Sequence, residues 1–444
     1  RLRPGGEIDH EYRDVPVGVT QRLAHVEASL RPGGDGMRFA VSGRDPQHRA
    51  DRIRLAGTYR PAEGRARVRV RAEQLDVKLI AELLPWSLPI TFEDGTAALR
   101  LSALLTNLPT PADAQRSPRT ALTAEVDLRG VGLRLDELTT PIMATSGRLR
   151  LTHDPARYPQ GSRLELLKVK ARARDLPLTL SGSISELDLR NLPRLTPVFD
   201  VRVRMATRDG EAIARLFPSG EWVHAIALDG PATLDARITG QPADLRIAGT
   251  LASRRFTIRG LAAEQARASF TLAPADPTTL SAEVAVRRLW AGDVALHDVM
   301  VAVSSTTPWR QLEKAPALAG TVRAARARLP WFTLPDLAGE VVATADGITL
   351  SNVRTTIFSG STTALLRIPF ASPDVLRADA TFAGMNLARL SRAFRLPSLS
   401  GHLDGHLALR LLPDGGASLE MQVQSTDAAY AAYEASRLNA VLRI

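Results

Sequence analysis

A five-residue phrase recurs along this chain: Leu or Ile, a small or polar residue, Gly, a polar residue, then an apolar one. It reads Leu55-Ala56-Gly57-Thr58-Tyr59, Leu180-Ser181-Gly182-Ser183-Ile184, Ile247-Ala248-Gly249-Thr250-Leu251, Leu318-Ala319-Gly320-Thr321-Val322, Leu337-Ala338-Gly339-Glu340-Val341 and Leu399-Ser400-Gly401-His402-Leu403. A phrase of period two that returns from end to end describes a sheet built by repetition. Function is then to be sought on the surface of that sheet, because a surface is what repetition makes.

Alternation extends well beyond the phrase. Leu122, Ala124, Val126 and Leu128 are interleaved with Thr123, Glu125, Asp127 and Arg129, which places the apolar set on one face of a strand. Phe199, Val201, Val203 and Met205 alternate with Asp200, Arg202 and Arg204; Leu376, Ala378, Ala380 and Phe382 with Arg377, Asp379 and Thr381; Leu419, Met421 and Val423 with Glu420, Gln422 and Gln424. Turn formers separate these windows, among them Pro32-Gly33-Gly34-Asp35, Asp94-Gly95, Asp209-Gly210, Asp346-Gly347 and Asp414-Gly415-Gly416. Successive strands are therefore expected to pair antiparallel through short connections, on the order of 30 of them at 10 to 14 residues each.

With 444 residues the length alone suggests about three domains. The texture nevertheless stays constant and no long Gly/Ser linker breaks it, so residues 1–444 read as one elongated repetitive array. Residues 109–118 and 154–161 read as long loops. The chain has no cysteine, which excludes a disulfide scaffold and thiolate zinc but does not fix a compartment. No run of about 18 apolar residues is present to span a bilayer as a helix. The sequence begins at Arg1 and stops inside an apparent strand at 438–444, so both ends read as cut.

Three short segments carry apolar residues at helical spacing and stop at proline, near 75–85, 209–218 and 386–397. Each has Asp or Asn where an N-cap is wanted, and they read as structural punctuation. Their unequal separation disfavours a solenoid of fixed period.

The net charge of +10 comes almost wholly from arginine, with lysine only at 78, 168, 170 and 314. Arginine favours phosphate, and nucleic acid and anionic headgroups both come into consideration. The arginines are dispersed, though. Arg65, Arg67, Arg69 and Arg71 alone form a same-face row, aromatic residues are too few for a base-stacking platform, and nucleic acid is disfavoured as a partner. The eight histidines, at 10, 25, 48, 153, 224, 297, 402 and 406, are scattered. His402 and His406 have the spacing that chelates a metal on a helix, but on a strand they stand about 13 Å apart. Neither a nucleophile elbow nor a phosphate loop is present, and the acidic pairs Glu93-Asp94 and Asp136-Glu137 fall near turns. No catalytic residue, metal site or cofactor is assigned, and the chain is not read as an enzyme.

The Asp- or Asn-led helix closing on Leu-Pro or Phe-Pro, followed by Leu-Ser-Gly, resembles the repeat-rich β proteins of the AsmA-like group of Gram-negative envelopes. The resemblance is clearest from Gly347 to Ser361, where Phe358 precedes Gly360, and continues through Phe382-Ala383-Gly384-Met385-Asn386-Leu387 and Leu399 to Gly405. It implies an all-β fold: a long, twisted, curved antiparallel sheet forming a half-open apolar groove, with a few short helices. It also implies a periplasmic location, an inner-membrane anchor outside this sequence, and a role in moving phospholipid toward the outer membrane.

The residues support that geometry independently, since a sheet with one continuous apolar face must close, pack on a second sheet, or leave a channel for a guest. Expected groove residues are Leu122, Ala124, Val126, Leu128, Val201, Val203, Val284, Val286, Val299, Val301, Val303, Leu407, Leu409, Leu411, Leu419, Met421 and Val423, with Arg67, Arg69 and Arg71 as headgroup contacts. The same apolar positions would also suit an ordinary sandwich core. Two functions follow: a bridge shielding phospholipid or other acyl lipid between inner and outer membranes, or a scaffold or assembly factor for outer-membrane biogenesis, working with envelope protein partners and no lipid cargo.

Overall fold

The computed structural model describes residues 6–11, 20–44, 52–77, 90–92, 94–109, 119–135, 142–156, 161–173, 176–187, 197–214, 226–258, 261–273, 279–291, 294–305, 318–329, 333–344, 346–369, 376–395, 397–411, 417–425, 427–430, 433–435 and 438–443. They are almost entirely strand. In chain order these are β1 (Gly6–Glu11), β2 (Thr20–Gly33), β3 (Gly36–Arg44), β4 (Arg52–Arg60), β5 (Arg65–Asp76), β6 (Ile90–Phe92), β7 (Thr96–Thr106), β8 (Arg119–Leu135), β9 (Ile142–His153), β10 (Ser162–Ala173), β11 (Leu176–Leu187), β12 (Val198–Thr207), helix α1 (Glu211–Ala214) and β13 (Ile226–Gly240). There follow β14 (Arg246–Ile258), β15 (Leu261–Ala273), β16 (Thr279–Ala291), β17 (Val294–Ser305), β18 (Leu318–Arg328), β19 (Thr333–Ala343), β20 (Gly347–Ile357), β21 (Gly360–Pro369), β22 (Arg377–Asn386), helix α2 (Leu387–Phe394), β23 (Leu399–Ser400), β24 (His402–Leu411), β25 (Ala417–Ser425), β26 (Ala428–Tyr430), β27 (Tyr433–Ala435) and β28 (Leu438–Arg443).

The chain divides into two compact units, Arg1–Ala206 with Asp235–Leu245, and Thr207–Leu234 with Arg246–Ile444. No change of sequence texture marks the division, because each unit is built in the same way, from antiparallel strands paired with their neighbours in sequence. In the first unit the ladder runs from β1 to β5, passes to β7, and continues to β12, with short β6 pairing the far end of long β8. In the second it runs from β14 to β22 and on through β24, β25 and β28, while β23, β26 and β27 form a small sheet.

Many strands break their alternation once, and from β14 to β19 the breaks lie in register. In the second unit Arg255, Glu264, Arg288, His297, Arg326 and Pro335 pair in succession from β14 to β19, and one residue on each strand is skipped beside them. Gln265, Asp298 and Asp336, three of those skipped, have φ near +50°. In the first unit the register shifts after Ala72 and Leu167, with Gln74, Gly130 and Lys168 at positive φ. Such irregularities bend a strand. Buried residues line this seam, among them Ala72, Leu75, Ala97 and Val131 in one unit and Ala263, Val299, Ala324 and Ala327 in the other.

Two glycines of the recurrent phrase, Gly57 and Gly249, stand opposite phenylalanines, Phe39 and Phe270, and so does Gly405 outside it, opposite Phe382. A Cβ at Gly57 would strike the Phe39 ring and the Arg67 carbonyl oxygen, and one at Gly405 the Phe382 ring and the Gln422 carbonyl oxygen. Gly57→Val is therefore expected to cost about 1–3 kcal/mol through overpacking, read as a lower urea midpoint. Adding Phe39→Ala should recover part of that loss, whereas strict additivity would show that the ring is not the obstacle.

The helices adjoin the seam. Asn386 caps α2 by accepting from the Arg389 N–H at 3.0 Å, and Arg395 ends the helix in the left-handed region. Leu387 of α2 is buried with Phe382, Met385, Leu403 and Ala428. In α1, Ile213 is buried, and Asp209 accepts from the Glu211 N–H at 3.1 Å. Of the segment near 75–85, Leu75 and Asp76 close strand β5, Val77 is helical, and residues 78–85 lie outside the described residues.

Candidate functional site

Register turns the single-strand alternation into rows that run across each unit. In the first, Ala28, Val41, Leu55, Val70, Leu101, Ala124, Leu151, Leu164, Ile184 and Phe199 stand side by side on ten successive strands of the ladder. In the second, Gly249, Phe270, Ala282, Val303, Gly320, Val341, Leu350, Leu366, Ala378, Leu409 and Leu419 do the same from β14 to β25. No polar side chain interrupts either row. Most members are half-buried.

One buried cluster of the second unit is made from neighbouring strands of a single sheet. Ala263, Ala266, Val286, Val299 and Ala324 pack with Phe256, Val284, Leu289, Leu296, Val301, Val322 and Leu337, all on the neighbouring strands β14 to β19. The partly buried members of this cluster keep part of their apolar surface accessible.

The expected groove residues separate into two groups. Ala124, Leu128, Val201, Val286 and Val299 are buried, Val299 to 1% exposure. Leu122, Val126, Val203, Val284, Val301, Val303, Leu407, Leu409, Leu419, Met421 and Val423 are half-buried on the apolar face. Leu407 and Val423 also pack against the cluster below α2. Leu411 pairs with Ala417 in the backbone ladder, and its side chain lies outside the described residues. A shallow depression of about 580 Å³ is lined by Phe382, Gly405, Val423, Ala440 and Val441 together with the polar Asp404, His406, Gln422 and Gln424. The row members Leu55, Val70, Leu101, Leu151, Leu164 and Ile184 belong with the half-buried group. Alternation marks them in the sequence, but only register joins them.

Arg67, Arg69 and Arg71 are exposed on the opposite face, since Val68 and Val70 between them point to the apolar side. A lipid lying on Val68 and Val70 is separated from these guanidiniums by the sheet itself.

Elsewhere in the first unit the polar face is neutralised by cross-strand pairs. Arg148 donates to Asp127 at 2.6 Å, and Arg150 lies between Glu125 at 2.8 Å and Glu165 at 3.8 Å. Arg202 makes two bonds to Asp235, at 2.7 and 2.6 Å, and Arg237 two to Asp200, at 2.7 and 2.9 Å. The hydrogen bond from Arg237 holds the Asp200 carboxyl below the ordinary carboxylate range, and that from Arg202 does the same for Asp235. Carboxylates lowered in this way stabilise the fold above their ordinary range and lose that contribution as pH falls through the lowered values. Thermal midpoints of the wild type should therefore drop in acid more steeply than those of an Asp200→Asn/Asp235→Asn double variant. Parallel pH profiles would count against these pairs.

His402 donates its backbone N–H to Asp427 at 2.8 Å, and its ring Nδ1 lies 2.8 Å from the same carboxylate. Among the described residues no group of three or more His, Asp or Glu side chains is placed to hold a metal ion, and no helix is long and apolar enough to cross a membrane. No protein-family model matches the sequence, and no curated protein or solved structure is detectably similar to it.

Proposed function

We propose that the protein shields acyl chains on its apolar face, as an AsmA-like lipid conduit of the periplasm that works between inner and outer membranes. The observation that carries this reading is the uninterrupted cross-strand row of Ala, Val, Leu, Ile and Phe, most of it half-buried, in the first unit. Ten strands at about 4.8 Å give such a row a length of about 43 Å. Moving an acyl chain through water exposes each CH2 at about 0.8 kcal/mol, and contact with the row offsets most of that cost. The contacts are weak, similar and replaceable, which suits movement along the face better than tight capture.

The seam gives this surface one closed margin, and the half-buried rows form its accessible part. Headgroups stay in water beyond the rows, with no dedicated cation needed on the apolar side. The test is native mass spectrometry of the gently purified chain, with extraction and thin-layer analysis of what it carries. Bound phospholipid is the expected result. A protein free of lipid that instead captures an envelope partner through the apolar rows would replace the conduit with the scaffold.

A further inference from the structure

The polar face of β3 to β7 breaks the charge pattern of its neighbours. Arg54, Arg71 and Arg100 are direct cross-strand partners on β4, β5 and β7, and the same row continues as Glu125, Arg150 and Glu165 on β8 to β10. In the continuation each arginine meets carboxylates. In the first three strands arginine faces arginine, an arrangement that is unfavourable in an isolated sheet, and among the described residues Glu125, opposite Arg100, is the one carboxylate in direct cross-strand register with them. Arg67 and Arg69 extend the cluster along β5, paired with Thr58 and Ala56 on one side and Leu104 and Ser102 on the other. All five guanidinium-bearing residues are exposed, and none makes an ion pair or side-chain hydrogen bond among the described residues.

We propose that this arginine grid is a docking surface for an anionic phospholipid bilayer. The unneutralised charge calls for an anionic partner, and the grid's form selects the kind. It extends in two directions, with backbone positions about 7 Å apart along β5 and about 5 Å apart across strands, a two-dimensional layout suited to a planar array of phosphates. The intervening Ala56, Thr58 and Ser102 are small, so the guanidiniums stand highest. No aromatic residue lies among them to stack a base, as binding of single-stranded nucleic acid would require. Leu104, 39% exposed beside Arg67, adds an apolar tip at the level of the headgroups. The proposal uses the face opposite the acyl-binding rows and stands independently of them.

The test is flotation of the full chain with phosphatidylcholine vesicles containing phosphatidylglycerol, and with phosphatidylcholine vesicles alone. The wild type should bind only the anionic vesicles and be released as added salt shortens the screening length from about 10 Å to about 3 Å. Arg67→Gln/Arg69→Gln/Arg71→Gln should weaken binding on the order of 100-fold. Its thermal midpoint should hold or rise, since like charges are removed. Arg254→Gln/Arg323→Gln/Arg410→Gln, which loses the same formal charge elsewhere, should bind within about twofold of wild type. Equal weakening in both variants, equal binding to neutral vesicles, or equal affinity for a single-stranded oligonucleotide that displaces the vesicles would each overturn the proposal.

Discussion

Replacing Leu409 and Met421 together with aspartate should abolish lipid carriage while leaving the sheet folded. Both side chains are half-buried on the apolar face, Leu409 beside Leu419 and Met421 beside Leu407 on the paired strands β24 and β25. A carboxylate at either position keeps a path to water, so it escapes the heavy penalty of full burial. An acyl chain crossing the pair would have to desolvate two charges, which the gain of about 0.8 kcal/mol per CH2 cannot offset over so short a stretch. Lipid recovered by native mass spectrometry should fall at least tenfold, with the thermal midpoint within a few degrees of wild type. If lipid persists, the carriage proposal fails at this site; if the protein unfolds, these positions are an ordinary core.

Val299→Asp should behave in the opposite way. Val299 is 1% exposed, pairs with Val286 and Ala324, and lies on the seam. The residues packed with it, Ala263, Ala266, Val286 and Ala324, are apolar, and a loss of about 3–5 kcal/mol is expected. Val301→Asp, two residues along the same face of β17, is half-buried and should cost about 1 kcal/mol. Urea unfolding of the two variants side by side measures the difference between closed margin and accessible row. Equal losses would mean that the apolar face is sealed along its length, and the proposed route for lipid would be lost with it.

The five buried residues among the expected groove positions show why sequence could not separate wall from core. Val284 and Val286 are the same residue type on the same face of the same strand, yet Val286 is buried at the seam and Val284 is half-buried away from it. Alternation reports which face a side chain takes, and carries no information about where along the strand that face bends. The bend leaves a trace, as in Ala72-Glu73-Gln74-Leu75 and Ala263-Glu264-Gln265-Ala266, where two polar residues separate buried apolar ones. That spacing of three is shared by a helical turn, which is why Leu75 reads as the start of a helix and yet ends a strand.

What the sequence determined by itself was local: the period of two, the face of each residue, the turns, and the helix capped by Asn386, because each depends on neighbours within a few positions. The aligned rows, the shared seam, the phenylalanines lying over glycines and the unneutralised arginine grid came only from tertiary structure. Each depends on which residue of one strand stands opposite which residue of the next, and a one-residue slip would have dissolved them all.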